Sequence, residues 1–228
     1  MANLKIPKDC LIVSCQSEGN DPFNSPEGVV LFARAAEMGG AHGIRSEGIL
    51  KTKRILQEVQ IPVIGLIKSE FKDGTVRVTG NYSDVEDLLE IGCNIIAVDG
   101  TKRLREGVTG HKFIHELKRR YKCTIMADIA TLEEALECQH VAADYISSTL
   151  NGYTPDTISD NNGEPNFKLV EELVIRLNIP VFAEGRISNP KQAKQLIELG
   201  AYGVVVGTMI TRPRIITNLF ADKIIKWK

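Results

Sequence analysis

No apolar run in this 228-residue chain approaches the length needed to cross a membrane, and the N-terminus MANLKIPKDC lacks the long apolar core of a secretory signal. A cytoplasmic protein is expected. A basic excess is also missing: 28 Lys and Arg stand against 29 Asp and Glu, a formal net charge of −1, so neither nucleic acid nor a membrane surface is the expected partner. The one basic cluster, Lys118, Arg119, Arg120 and Lys122, reads as a solvated helix face. Five cysteines (Cys10, Cys15, Cys93, Cys123 and Cys138) form no C-x-x-C pair; neither a disulfide framework nor a zinc knuckle follows, and buried thiols are expected. H-E-x-x-H, P-loop, G-x-G-x-x-G and G-x-S-x-G patterns are all absent, which speaks against nicotinamide and nucleotide cofactors. His111 and His115 lie four apart but have no nearby cysteine partner, and no metal site is expected.

What is present is a cadence. A short apolar strand, a few loop residues, an amphipathic helix and often a glycine recur along the chain without a linker or low-complexity break. Strands are expected at 11–15, 43–45, 63–68, 95–98, 124–128, 145–148, 181–184 and 203–206, with helices at 26–38, 49–59, 83–91, 112–121, 132–139, 167–177, 190–199 and 214–225. Eight such units predict a single α/β domain over 1–228, a (β/α)8 TIM barrel rather than an open sheet. The echoes EMGGAHGIR, EIGCNIIAVD and ELGAYGVVVG support a repeating unit, with Gly39, Gly92 and Gly200 read as helix C-caps. The long polar stretch 151–166 is a candidate substrate-covering loop.

In such a barrel the chemistry sits at the C-terminal ends of the strands. Those ends carry Gln16, Arg45, Lys68, Asp99, Asp128, Thr149 with Asn151, and Glu184. Lys68 closes the apolar run VIGLIK, so a partly dry setting near Arg45 is expected, one that would favour a neutral amine acting as a base or as a Schiff-base former. Glu184 and Asp128 then serve as acid, base or orienting groups; the bland alternative is a buried charge network. Gly185 and Gly207, just past the last two strands, either admit an anion to the backbone or only make tight turns. Arg212 could reach a phosphate or cap strand-end carbonyls.

Taken together, LIVSCQ with the later SPE, GGAHGIR, IPVIGLIK, MADIATLEEAL, STLNGYT, FAEGRI and GAYGVVVGTMITRP occur in order and at barrel spacing. This ordered set resembles the N-acetylmannosamine-6-phosphate 2-epimerase family over nearly the whole chain. The resemblance implies a ribulose-phosphate-binding type of barrel that interconverts N-acetylmannosamine 6-phosphate and N-acetylglucosamine 6-phosphate without a cofactor, in bacterial sialic-acid or amino-sugar breakdown. It further implies Lys68 as principal acid/base assisted by Glu184, and Asp128, Gln16 and Arg45 as substrate contacts with Thr149, Asn151 and Tyr153 beside them. Gly185, Arg186, Gly207, Thr208 and Arg212 would form the phosphate end. The chain departs from the usual pattern at Ser46 and Glu47, where an added carboxylate could repel phosphate or pair with Lys51, and at Gly80.

Two other readings stay open: another phosphosugar isomerase, or a non-catalytic barrel that senses a phosphosugar. The C-terminal segment places Leu219, Phe220, Ile224, Ile225 and Trp227 on one apolar face. That face would cover the barrel or pack on a second subunit as a homodimer.

Overall fold

The computed structural model describes residues 5–72, 75–105 and 107–225. Eight parallel strands close into a barrel: β1 (Cys10–Cys15), β2 (Gly43–Glu47), β3 (Val63–Leu66), β6 (Ile95–Asp99), β7 (Thr124–Asp128), β8 (Tyr145–Ser147), β9 (Val181–Glu184) and β10 (Gly203–Val206). Around the ring they run β1-β10-β9-β8-β7-β6-β3-β2. The remaining two strands, β4 (Lys68–Glu70) and β5 (Val76–Val78), pair antiparallel as a ribbon above β3. Helices α1 (Pro26–Met38), α2 (Ile49–Leu56), α3 (Tyr82–Glu90), α4 (Gly110–Arg120), α5 (Leu132–His140), α6 (Phe167–Arg176) and α7 (Pro190–Glu198) follow successive barrel strands, and a one-turn α8 (Thr208–Thr211) precedes α9 (Pro213–Ile225). Among the described residues no helix is long and apolar enough to cross a membrane.

Local chemistry explains where these helices begin. Ser25 accepts from the Gly28 N–H at 3.0 Å with Pro26 in the first turn, Asn189 does the same for Gln192 ahead of Pro190, and Thr131 and Glu134 form a reciprocal capping box. Gly39 is the C-cap of α1, as expected, its N–H donating to Ala35 O at 2.9 Å, and Gly40 after it takes the left-handed position at φ 92°. Gly92 and Gly200 stand one residue past the C-caps Ile91 and Leu199, left-handed at φ 85° and 101°.

Side chains alternate across the barrel wall, as a period of two requires. Ile12, Ile64, Leu66, Ile95, Ala97, Met126, Phe182 and Val205 fill the interior, whereas Val13, Ile44, Val63, Ile96, Ile125, Ile146 and Val204 pack outward with the helices. Continuing each inward parity toward the C-terminal end reaches Ser14 and Gln16, Arg45, Asp99, Asp128, Ser147 and Glu184. The packing that fills the barrel therefore also aims these polar groups at its mouth.

At the C-terminus, α9 has no buried residue, and Leu219, Phe220, Ile224 and Ile225 are exposed. Of the two expectations for this segment, covering the barrel is the one the structure overturns. Trp227 lies outside the described residues. All five cysteines are buried and free.

Candidate active site

At the C-terminal end of the barrel lies a cavity of about 830 Å³. Its wall includes Gln16, Arg45, Lys68, Thr149, Tyr153, Glu184, Gly185, Arg186, Gly207, Thr208 and Arg212. Two residues expected there are not on the wall. Asp128 is fully buried beneath it, and Asn151 is spent on its own loop and the two flanking ones: its Nδ2 donates to Ala130 O (2.9 Å) and Asp160 Oδ2 (3.0 Å), and its Oδ1 accepts from Asn166 (3.1 Å) and Arg186 (3.3 Å).

Arg45 rises from β2 and is 1% exposed, so its charge must be met inside the protein. It is met from across the ring. The guanidinium grips both Asp128 oxygens from β7, with Nη1 donating to Oδ1 at 3.1 Å and Nη2 to Oδ2, and its Nη1 lies 3.2 Å from Glu184 Oε2 on β9. Ser148 pins the base of Glu184, donating to its carbonyl and accepting from its N–H, both at 3.0 Å. Burial works against the Arg45 charge, but the two carboxylates outweigh it and hold the guanidinium above its ordinary value. Burial also pushes the Asp128 carboxyl up to about 6 in spite of Arg45, with Glu184 adding to the rise. The two directions agree physically, since one cation facing two carboxylates neutralises one negative charge. Thr149 makes the same point: its Oγ1 lies 2.9 Å from both Asp128 Oδ1 and Glu184 Oε2. A hydroxyl has one hydrogen, so a proton held on the acids would supply the second bond.

Lys68 has a different setting from the one expected. The apolar strand ends at Leu66 and the lysine opens the β4–β5 ribbon instead, where its side chain is 37% exposed and ion-paired to Glu18. The dry surroundings inferred from VIGLIK are corrected, because the ribbon turns the chain out of the barrel wall. Arg212 Nη2 lies 3.7 Å from the same Glu18 carboxylate; no side-chain bond from Arg212 to a strand-end carbonyl occurs among the described residues. Glu18 was missed in the sequence. Its position two residues past Gln16 on the first strand-to-helix loop was the available signal.

The glycine turns divide. Gly185 sits at φ +110° with open space where a Cβ would go, so its backbone conformation is what calls for glycine. Gly207 is not left-handed; a Cβ there would press on Ser14 Cβ at 3.2 Å. Arg186 is largely committed to the loop after β8, donating to Asn151 O and Glu164 O at 2.7 Å each and lying over the Tyr153 ring. Glu47 pairs with Lys51 at 3.0 Å, the second of its two expected fates. Asp99, also named at a strand end, is locked between Arg103 and Arg105 at 2.6 and 2.7 Å. His111 faces Glu137 at 3.0 Å.

Residues 29–226 match the family described as "Putative N-acetylmannosamine-6-phosphate epimerase". This chain's relatives include proteins named "Putative N-acetylmannosamine-6-phosphate 2-epimerase". The protein from Caldanaerobacter subterraneus subsp. tengcongensis is 43% identical over 212 residues, covering 92% of this chain and 89% of its own. That from Clostridium perfringens is 40% identical over 219 residues, covering 96% and 98%. A solved N-acetylmannosamine-6-phosphate 2-epimerase from Clostridium perfringens superposes with a TM-score of 0.89 at 38% identity over 95% of this chain and 94% of its own. The thiamine phosphate pyrophosphorylase of Pyrococcus furiosus, at 17% identity and a TM-score of 0.59, shares the fold alone.

Proposed function

The chain belongs to the N-acetylmannosamine-6-phosphate epimerase family, and from that premise we propose that it interconverts N-acetylmannosamine 6-phosphate and N-acetylglucosamine 6-phosphate by moving the C2 proton of the open-chain sugar, with no cofactor. It is an enzyme of carbohydrate epimerisation, in amino-sugar and sialic-acid breakdown. The observation that carries the mechanism is the assembly, in one cavity, of an amine at Lys68, a buried guanidinium at Arg45 and a second cation at Arg212.

C2–H is acidic only while C1 is a carbonyl, so the sugar reacts as its aldehyde. Lys68 takes the C2 proton, an enolate forms, and return of a proton to the opposite face inverts the carbon. Two faces need groups on two sides. Lys68 follows β3 and Glu184 ends β9, strands that stand four apart in the eight-membered ring and therefore opposite each other. Glu184 assists, and Arg45 offers positive charge to the oxygen on C1 as it becomes negative. Asp128, off the cavity wall, acts through Arg45 as a positioning residue. Arg212 and the turn at Gly185 hold the phosphate, which fixes the mobile chain at a point remote from the reacting carbon. The exposed apolar face of α9 fits a homodimer, which sedimentation equilibrium would test.

Proton NMR of N-acetylmannosamine 6-phosphate in D2O with the wild-type protein tests the reading. The epimer should appear carrying deuterium at C2; an epimer that retains its original proton would rule out the proton-transfer route, and no epimer at all would rule out the activity.

A further inference from the structure

Among the described residues, Glu18 is the one carboxylate placed between the two cations assigned to different tasks. Its Oε1 accepts from Lys68 Nζ and lies 3.7 Å from Arg212 Nη2. The loop that presents it is held in place. Lys51 Nζ donates to Ser17 O at 3.0 Å, Asn24 Nδ2 donates to Gly19 O at 2.8 Å, and Asp21 N–H donates to Glu18 O at 3.3 Å. Lys68, followed by Arg212 and Lys51, also holds the Glu18 carboxyl below its ordinary value, so it is an anion at neutral pH. An anion in this position occupies the space a phosphate bound to Arg212 would need, and it engages the amine that must accept the C2 proton.

We propose that Glu18 is a specificity-determining residue: a tethered carboxylate that holds Lys68 and Arg212 until substrate binds and is displaced by the substrate's phosphate, which frees the lysine. The inference rests on the epimerase reading. A phosphate dianion carries more charge than a carboxylate and competes for Arg212, and its arrival repels Glu18 from the same pocket. Glu18 is 50% exposed, so it can swing into water at small cost. The released Lys68 is then available only when a phosphate is in place, a requirement that an unphosphorylated amino sugar does not meet. Neither partner of Glu18 is buried enough to make the exchange prohibitive, with Lys68 37% and Arg212 19% exposed.

Calorimetric titration with inorganic phosphate, run on wild type and Glu18→Gln, reads the competition without turnover. Phosphate should bind the variant about three- to tenfold more tightly, the range expected when two half-exposed ion pairs no longer have to be broken. The KM for N-acetylmannosamine 6-phosphate should fall by a similar factor with kcat within about twofold of wild type. With unphosphorylated N-acetylmannosamine, deuterium exchange at C2 should rise in wild type on adding inorganic phosphate, and should already be raised in the variant without it. Glu18→Ala must reproduce these changes, which guards against an effect peculiar to the amide. Unchanged phosphate affinity in both variants would overturn the proposal. So would a fall in kcat at unchanged KM, which would place Glu18 in the chemistry instead. If wild type fails to epimerise the phosphosugar at all, the activity reading falls while the phosphate titration still decides the competition.

Discussion

The mouth of this barrel has two unlike halves. Across β2, β7 and β9, Arg45, Asp128 and Glu184 form a dry cluster in which the guanidinium is 1% exposed and Asp128 fully buried. Across β1, the β4–β5 ribbon and the segment after β10, Glu18, Lys68 and Arg212 form an open one whose side chains are 50%, 37% and 19% exposed. Charges of the first kind are unscreened and fixed, and breaking them is costly; charges of the second kind are screened and exchange partners cheaply. A site that must bind, react and release benefits from both, with the rigid half setting the field and the open half changing partners each turnover.

Removing the cation of the dry half is the harshest way to break this contrast. Arg45→Met leaves the fully buried Asp128 and the partly buried Glu184 without a counter-charge, and urea unfolding should show a loss of about 3–5 kcal/mol. A loss under about 1 kcal/mol would mean that this half is no different from the surface. A pH series sharpens the point. Because the folded-state value for Asp128 is raised from 3.8 to about 6, its protonation stabilises the fold fully below 3.8 and that contribution is lost as pH rises through about 6. The stability advantage of wild type over Asp128→Asn should therefore shrink across that window, by at most about 1.4 kcal/mol per pH unit. Thr149→Val removes the hydroxyl shared by Asp128 and Glu184 and should cost about 1–2 kcal/mol in the same unfolding assay. Glu47→Gln, which breaks the partly buried pair between the end of β2 and Lys51 in α2, should shift stability by less than about 1 kcal/mol.

The eight-strand ring was legible because each barrel strand is an apolar run bounded by turn residues, and the runs at 124–128, 181–184 and 203–206 agree with β7, β9 and β10 to the residue. The dry half was nearly as plain, since Arg45, Asp128 and Glu184 all follow from inward parity at a strand's end. The open half was not. Lys68 continues the parity of Leu66, yet the chain leaves the barrel between them, and the ribbon pairing Lys68 with Val78 depends on contacts ten residues apart that no local pattern announces. Asn151 looked like a site residue because it is polar and follows a strand, but groups of its own loop and of the two flanking loops use up its side chain. Glu18 hid in a loop whose course is set by Lys51 from a different βα unit. The one-turn helix α8 is too short for a periodic signal.

Removal of the C2 proton is assigned to the open half, to Lys68, while the dry half shapes the field and places Glu184 on the opposite face. Lys68→Ala in D2O, followed by proton NMR with N-acetylmannosamine 6-phosphate as substrate, tests this most directly. Epimer formation and C2 deuteration should both fall about 10²–10⁴-fold, in a protein whose unfolding midpoint moves little because the side chain is exposed. Deuterium entering C2 at the wild-type rate in that variant would contradict that assignment, and would move the base to Glu184.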